Sequence, residues 1–510
     1  RHPMSEPTAQ RLYRAPCPAC GAPVEFKSAQ STHAVCAYCQ STVVREGEVL
    51  KRIGKMAELF DDHSLLQLGA SGQIDGQGFT LVGRLQYAYG EGDERGTWTE
   101  WHALQTDGSS AYLSEDNGAY VYSRPVSSNG AVPPASELPV GHSVALGGQR
   151  YVVSSNQPVT LIAAQGELPK LPPLGQPFTV VEVRSEGGDE ASQRVLSFDY
   201  GSAPPAVTLG RGVVLADLNM SGLKAESAQE GSGRQFACPN CGSPVTVKLA
   251  ESKAITCPQC HTLIDLSKGI GGELRHAVQD EPVRPLIALG SVGQLNGIHW
   301  QVVGFQHRLG QSPDDDESFG WTEYLLYNAK HGFAFLVDAE DGWSLVRPTT
   351  GAPKVTGNGA KAEYAGATYS RTWSYNAETS YVLGEFYWPV RRGQKTFNRD
   401  YAVGERLLSL EQTGSEQTWS AGAKLDFNQV ARAFKLQDKA ALFRRQDAAP
   451  VSLGDAGSTL IKIIVVMMLV LAGMWLLAAM FGASSSGSGS GYGRSSGGSF
   501  GGYSSGGGHK

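Results

Sequence analysis

All eight cysteines of the chain lie in two copies of one spacing, and cysteine at that spacing does metal chemistry. The first copy reads Cys17-Pro-Ala-Cys20-Gly, then Cys36-Ala-Tyr-Cys39. The second reads Cys238-Pro-Asn-Cys241-Gly, then Cys257-Pro-Gln-Cys260. Fifteen residues separate the two pairs in each copy, and the copies are offset by 221 positions. A Cys-x-x-Cys turn sets two thiolates on one ion, and two such turns complete a tetrahedral shell. Four thiolates leave no position for water or substrate, so both sites are expected to be structural. Gly21 and Gly242 follow the first knuckle of each copy, where glycine turns the chain without a Cβ penalty. Zinc is the expected ion. Iron in a rubredoxin-like site is the rival, but such sites usually carry a Cys-Gly step in both knuckles, and Gln40 and His261 stand at the second one here. Disulfides are the weaker reading, because no secretory leader is read in the sequence. A redox pair would call for a βαβ context, which the flanking residues do not suggest. His33 and His261 are surplus to a four-thiolate shell and read as surface residues.

Two further motifs carry acids beside aromatics, and both occur twice. Trp98-Thr-Glu100-Trp101 matches Trp321-Thr-Glu323-Tyr324, and Gly166-Glu167-Leu-Pro169 matches Gly384-Glu385-Phe-Tyr-Trp388-Pro389. An acid so placed can serve as a general acid or anchor a ligand. It serves more often to satisfy backbone N–H groups at a turn or strand end, with its tryptophans in the core. Trp98, Glu100, Trp321, Glu323, Glu385 and Trp388 are therefore the candidates for a ligand pocket, with a structural role expected first. No catalytic residue is assigned. Neither HExxH nor a Walker lysine loop occurs, and Gly-x-Ser-x-Gly is confined to the C-terminal Gly/Ser tract, which lacks the strand and helix of a nucleophile elbow. Nucleic acid is not the expected partner. The formal charge is −6 over 510 residues, and neither cysteine region carries a basic cluster: the first offers Arg14 and Lys27, the second Lys248 and Lys253. Arg391, Arg392 and Lys395 make one small basic patch.

The elements that position these residues read as strands. The 221-residue offset continues past the cysteines: Leu68-Gly-Ala-Ser-Gly-Gln-Ile-Asp-Gly76 matches Leu289-Gly-Ser-Val-Gly-Gln-Leu-Asn-Gly297, and Val82-Gly83 matches Val303-Gly304. Two repeats this long are tandem domains and not a solenoid. Short apolar, β-branched runs at Phe79–Val82, Tyr120–Tyr122, Arg150–Val153, Thr179–Val183, Arg194–Phe198 and Trp300–Val303 alternate with turn signals such as Asp107-Gly108, Gly147-Gly148 and Asp341-Gly342. The expected fold is mainly β. Zinc ribbons at 14–46 and 235–268 each precede a β-sandwich or partly open barrel, at 60–222 and 282–446.

The repeated Gly-x-Ile/Leu-x-Gly, Trp-Thr-Glu-Trp/Tyr and Gly-Glu-Phe-Tyr-Trp-Pro motifs resemble the bacterial DUF4178 domain family, over both β-modules. The first copy lacks the aromatic pair after Glu167. The family carries no assigned activity. The resemblance implies membrane linkage and partners among phage-shock-like membrane-remodelling proteins.

Near the C-terminus, Ile463 to Phe481 is nineteen residues without a charge. At about 1.5 Å per residue it can cross a hydrocarbon core of about 30 Å, so 460–482 is the expected transmembrane helix. Lys462, Arg444, Arg445 and Lys439 precede it, while only Arg494 and Lys510 follow. The positive-inside rule then places the N-terminal bulk in the cytoplasm, at a bacterial inner membrane. The Gly/Ser tract 483–510 is expected to be disordered. Residues 426–445 read as an amphipathic helix, with Phe427, Val430, Ala431, Phe434, Ala441 and Leu442 on one face. It would lie on anionic lipid or pack on the second module. The preferred reading is a tail-anchored adaptor that holds cytoplasmic or membrane proteins through duplicated modules. A membrane-anchored ligand receptor or enzyme with a Trp/Glu-lined pocket is the alternative, and a self-associating membrane assembly the third.

Overall fold

The computed structural model describes residues 13–445, apart from 28–30, 47–48, 56–63, 91–95, 117–118, 128–131, 189, 225–233, 249–251, 267–275, 280–282, 313–317, 389 and 415. The apolar segment 463–481 and the Gly/Ser tract lie outside the described residues. Among the described residues no helix is long and apolar enough to cross a membrane.

Each repeat is built around a ring of eight antiparallel strands. In the first repeat, Gln77–Tyr89, Gly96–Gln105, Ser110–Asp116 and Ala119–Pro125 form one meander. Gln149–Leu168, Pro177–Ser185, Val195–Asp199 and Ala206–Val213 form the other. Ala119–Pro125 pairs with Ala206–Val213, and Gln149–Leu168 pairs back onto Gln77–Tyr89, which closes the ring. The second repeat closes in the same way. Its meanders are Ile298–Gln311, Ser318–Asn328, Gly332–Ala339 and Gly342–Pro348, then Ala367–Phe386, Lys395–Val403, Arg406–Gln412 and Gln417–Leu425. The sequence left open a sandwich or an open barrel; the backbone pairing makes a closed barrel, which leaves no edge within the ring.

The two 20-residue strands, Gln149–Leu168 and Ala367–Phe386, act as spines. Each pairs with the second meander along its first half and with the first strand of the ring along its second half. Its last residues then pair with the cysteine region: Gly166–Leu168 with His33–Val35, and Glu385–Phe386 with Ala254–Ile255. The second hairpin of each ribbon therefore shares one hydrogen-bonded sheet with its barrel, while the first hairpin forms a two-stranded sheet of its own.

The two barrels also touch. Gly187 N donates to Ala352 O at 2.8 Å, Ala352 N to Ser185 O at 3.0 Å, and Ala365 N to Gly188 O at 3.1 Å. Gln193 Oε1 accepts from Gly351 N at 2.9 Å. Val152 joins Ala352, Tyr364 and Trp419 in one apolar cluster across this seam.

The expected helix at 426–445 is shorter than its pattern. Phe427–Ala433 is α-helical, and Asp426 caps it by accepting from Asn428 N and Gln429 N. Lys435 then takes the left-handed conformation, φ 59°, and Gln437–Phe443 continues as a 3₁₀ turn. That break changes the register. Val430, Ala431, Phe434 and Phe443 pack on the second barrel, while Ala441 and Leu442, expected on the same face, are exposed.

Candidate functional site

Each four-cysteine group is assembled by two hairpin turns. Tyr13–Pro16 pairs with Pro23–Phe26 and His33–Val35 with Ser41–Glu46, so each hairpin loop carries one Cys-x-x-Cys. The second ribbon repeats this with Arg234–Ala237 and Pro244–Val247, then Ala254–Thr256 and Leu263–Asp265. All four knuckles need a left-handed residue after the second cysteine. Gly21 and Gly242 have φ 78° and 74°; Gln40 and His261 adopt 55° and 56° at the equivalent places. The glycine departure read in the sequence is thus a change of residue without a change of backbone.

The four Sγ atoms of each group lie within 4.8 Å of one another. Cys17–Cys39 and Cys20–Cys36 are 3.7 Å apart, as are Cys238–Cys260 and Cys241–Cys257. A disulfide would bring sulfurs to about 2.05 Å. A tetrahedron of thiolates at about 2.3 Å from a central ion has edges of about 3.8 Å. The eight residues therefore fit two metal ions, and all eight are free thiols in the structure. Ala19 N points at Cys17 Sγ at 3.4 Å, the backbone contact that a coordinating sulfur accepts. His33 and His261 stand outside both groups.

The Gly-Glu acids join these ribbons to the barrels. Glu385 accepts from Lys248 N at 3.0 and 3.1 Å and from the Ser252 hydroxyl at 2.7 Å. Glu167 accepts from Lys27 N at 2.6 Å. Lys27 and Lys248 each follow the first hairpin of a ribbon, so both carboxylates clamp the same point. The Val-Gly motif explains how they reach it. A Cβ on Gly83 would sit 1.9 Å from the Glu167 carbonyl, and one on Gly384 would sit 2.3 Å from the Val303 carbonyl. Two motifs far apart in the chain thus pack back to back, and glycine on both sides permits the approach. In the first repeat, buried His102 braces the junction, its Nδ1 lying 2.9 Å from the Glu167 carbonyl; burial holds its imidazole below the usual histidine range.

The Trp-Thr-Glu acids are both buried, and that of the second repeat, Glu323, lies inside its barrel. Glu323 accepts from Trp321 Nε1 at 2.6 Å and Gln306 Nε2 at 2.6 Å, with Arg308 Nη1 at 3.8 Å. Arg308 is 1 % exposed. It reaches across the ring to Thr396 Oγ1 at 2.7 Å and Glu411 Oε1 at 3.0 Å, and lies over the Trp321 ring. Tyr375 donates to Asp400 and Ser409 donates to the other oxygen of that carboxylate. Burial raises the Glu323 carboxyl to about 7 against the pull of Arg308, and burial raises Glu411 as well. Sequence reading missed Arg308, Glu411 and Asp400, because only the closed ring brings them together.

The first barrel has diverged at these positions. Strand register places Tyr87 opposite Trp98 where Arg308 faces Trp321, and Leu85 opposite Glu100 where Gln306 faces Glu323. Tyr87 stacks on Trp98 at 4.8 Å. Trp388 is core, packed on Phe335, Phe386 and Tyr387. The candidate residues therefore divide: Glu385 faces ribbon backbone, Glu323 faces the barrel interior, and Trp98, Trp321 and Trp388 are buried.

A family model described as a domain of unknown function, DUF4178, matches residues 67–213 and 288–427. No curated protein and no solved structure matches the chain.

Proposed function

From a chain that belongs to the DUF4178 family, with two tandem copies of the domain, we propose a non-enzymatic adaptor that presents two metal-bearing ribbon–barrel units to partner proteins. Zinc is the ion proposed for both cysteine shells, with iron the rival. The carrying observation is the clamp: Glu167 and Glu385 hold each ribbon to its barrel through backbone N–H groups. Ribbons locked in this way offer fixed protein-contact surfaces, and Tyr38, 75 % exposed between the cysteines of a knuckle, is one contact they display. The seam at Ala352 joins the two barrels, so two weak contacts on one partner assembly would reinforce each other. The apolar segment 463–481 is proposed to anchor the chain in the bacterial inner membrane, with residues before it on the cytoplasmic side. Phage-shock-like membrane-remodelling proteins are the proposed partner class.

Affinity purification from native membranes in mild detergent tests this, with Cys36→Ser and Cys257→Ser as controls. A defined partner set that weakens with either substitution supports the adaptor. Partners retained when neither ribbon holds metal would sink it.

One observation favours a small-ligand receptor as the second reading. A groove of about 640 Å³ runs along the seam, lined by Asp75, Gln193, Arg211, Asp217, Asn219 and Thr350. It lies away from the Trp/Glu motifs. Thermal-shift screening of polar metabolites, with Arg211→Ala and Gln193→Ala as controls, separates the two readings.

A further inference from the structure

We infer that the two ribbons hold metal unequally, and that Asn240 makes the second ribbon the more retentive. The inference rests on the metal-bearing reading of the cysteine groups. Asn240 is the residue before Cys241, inside the first knuckle. Its Nδ2 donates to Thr262 Oγ1 at 3.0 Å and lies 3.6 Å from Cys260 Sγ. Thr262 Oγ1 is itself 3.2 Å from that sulfur, and Thr262 is fully buried. A metal-bound thiolate only accepts. The amide and the hydroxyl therefore both donate to Cys260, and the amide, by occupying the hydroxyl oxygen, turns the hydroxyl proton toward sulfur.

The first ribbon lacks half of this arrangement. Ser41 stands where Thr262 does, but Ala19 replaces Asn240. Ala19 offers only its backbone N–H, which goes to Cys17. The comparison is well matched in other respects. Both shells have the same 3.7 Å sulfur separations and the same left-handed positions, and a glutamate accepts from the Lys27 or Lys248 N–H behind each, with Ser252 a further donor to Glu385. Side-chain donors behind a coordinating atom fix its orientation, and losing one typically weakens metal affinity by about 10–100-fold. As metal is withdrawn, the first ribbon should empty first. Its hairpin at His33–Val35 pairs with Gly166–Leu168, so emptying frees that stretch of the first spine while the second unit stays intact.

The test uses the full chain in detergent, loaded with zinc and challenged with a chromogenic chelator. Pulsed alkylation and mass spectrometry then report which cysteines have become free. Cys17, Cys20, Cys36 and Cys39 should label about tenfold faster than the second set. Asn240→Ala and Asn240→Asp, which removes the donor and keeps the size, should bring the second ribbon to the rate of the first. Ala19→Asn should slow the first. Equal labelling of the two sets in the unaltered chain overturns the inference. So does an unchanged second ribbon in both Asn240 variants, or an unchanged first ribbon in Ala19→Asn. A chain that takes up no zinc overturns the metal reading itself, and is told apart by the absence of any chelator signal.

Discussion

Replacing Glu385 by alanine should loosen the second ribbon from its barrel without touching a metal ligand. The carboxylate is 8 % exposed and accepts from Lys248 N and Ser252 Oγ. Hydrogen bonds to a charged acceptor contribute about 1.5–3 kcal/mol each, so the two lost bonds amount to roughly 3–6 kcal/mol. Removing the buried charge also removes its desolvation cost, which offsets part of that loss. A net cost of about 3 kcal/mol is the working figure, equivalent to about a hundredfold change in local opening. Hydrogen exchange on the full chain measures it directly. Amides of Val245, Thr246, Val247 and of Ala254–Thr256 should exchange about a hundredfold faster, while the distant strand Arg406–Gln412 keeps its protection. Glu385→Gln keeps the size and one acceptor oxygen, and should cost about 1 kcal/mol. Unchanged ribbon exchange in Glu385→Ala refutes the clamp. Protection lost evenly over ribbon and barrel also refutes it, because Glu385 would then be an ordinary core residue.

The remaining predictions concern the barrel interior, the metal and the C-terminal turn. Arg308→Met strands two buried carboxylates and should cost about 3–5 kcal/mol in urea unfolding. Since Glu323 keeps its proton to about pH 7 when folded but releases it near 4.5 when unfolded, its contribution to stability is full below the lower value. That contribution is lost as pH rises through about 7. Denaturation midpoints across this range should therefore fall less steeply in Glu323→Gln, and an identical slope would contradict the assignment. Chelation should abolish protection in 14–46 and 235–268 while the barrels keep their β circular dichroism. Arg445 pairs with Asp338 in two contacts and lies over Trp343. Arg445→Ala should detach the 3₁₀ turn and change the Trp343 emission, at a cost of about 2 kcal/mol in thermal unfolding.

The cysteine shells were legible because their chemistry is local: two residues between ligands and a turn set the geometry. Strand positions were legible for a similar reason, since the run at Phe79–Val82 marks the core of Gln77–Tyr89. The structural reading preferred for the Gly-Glu acids also matches what Glu385 does, but its N–H partner lies 137 residues away and no local pattern names it. Barrel closure was not legible, because it depends on the pairing of Gln149–Leu168 with Gln77–Tyr89 across the whole domain. Arg308 was invisible for the same cause. It lies next to His307 in an unremarkable run and acquires meaning from Trp321 and Glu323 on the paired strand and from Thr396 and Glu411 on strands further round the ring. Apolar spacing overextended the C-terminal helix, because periodicity cannot register a left-handed break at Lys435.

The contact between the barrels has a direction. The first repeat contributes Ser185, Gly187 and Gly188, and the second contributes Ala352 and Ala365. These are different patches of two related units, a head against a tail. Head-to-tail contacts do not close on themselves after two members, whereas a face-to-face pair does. A contact of this kind, if repeated, builds a ring where its rotation closes and an open array where it does not, and here it fixes which face of each repeat meets the other.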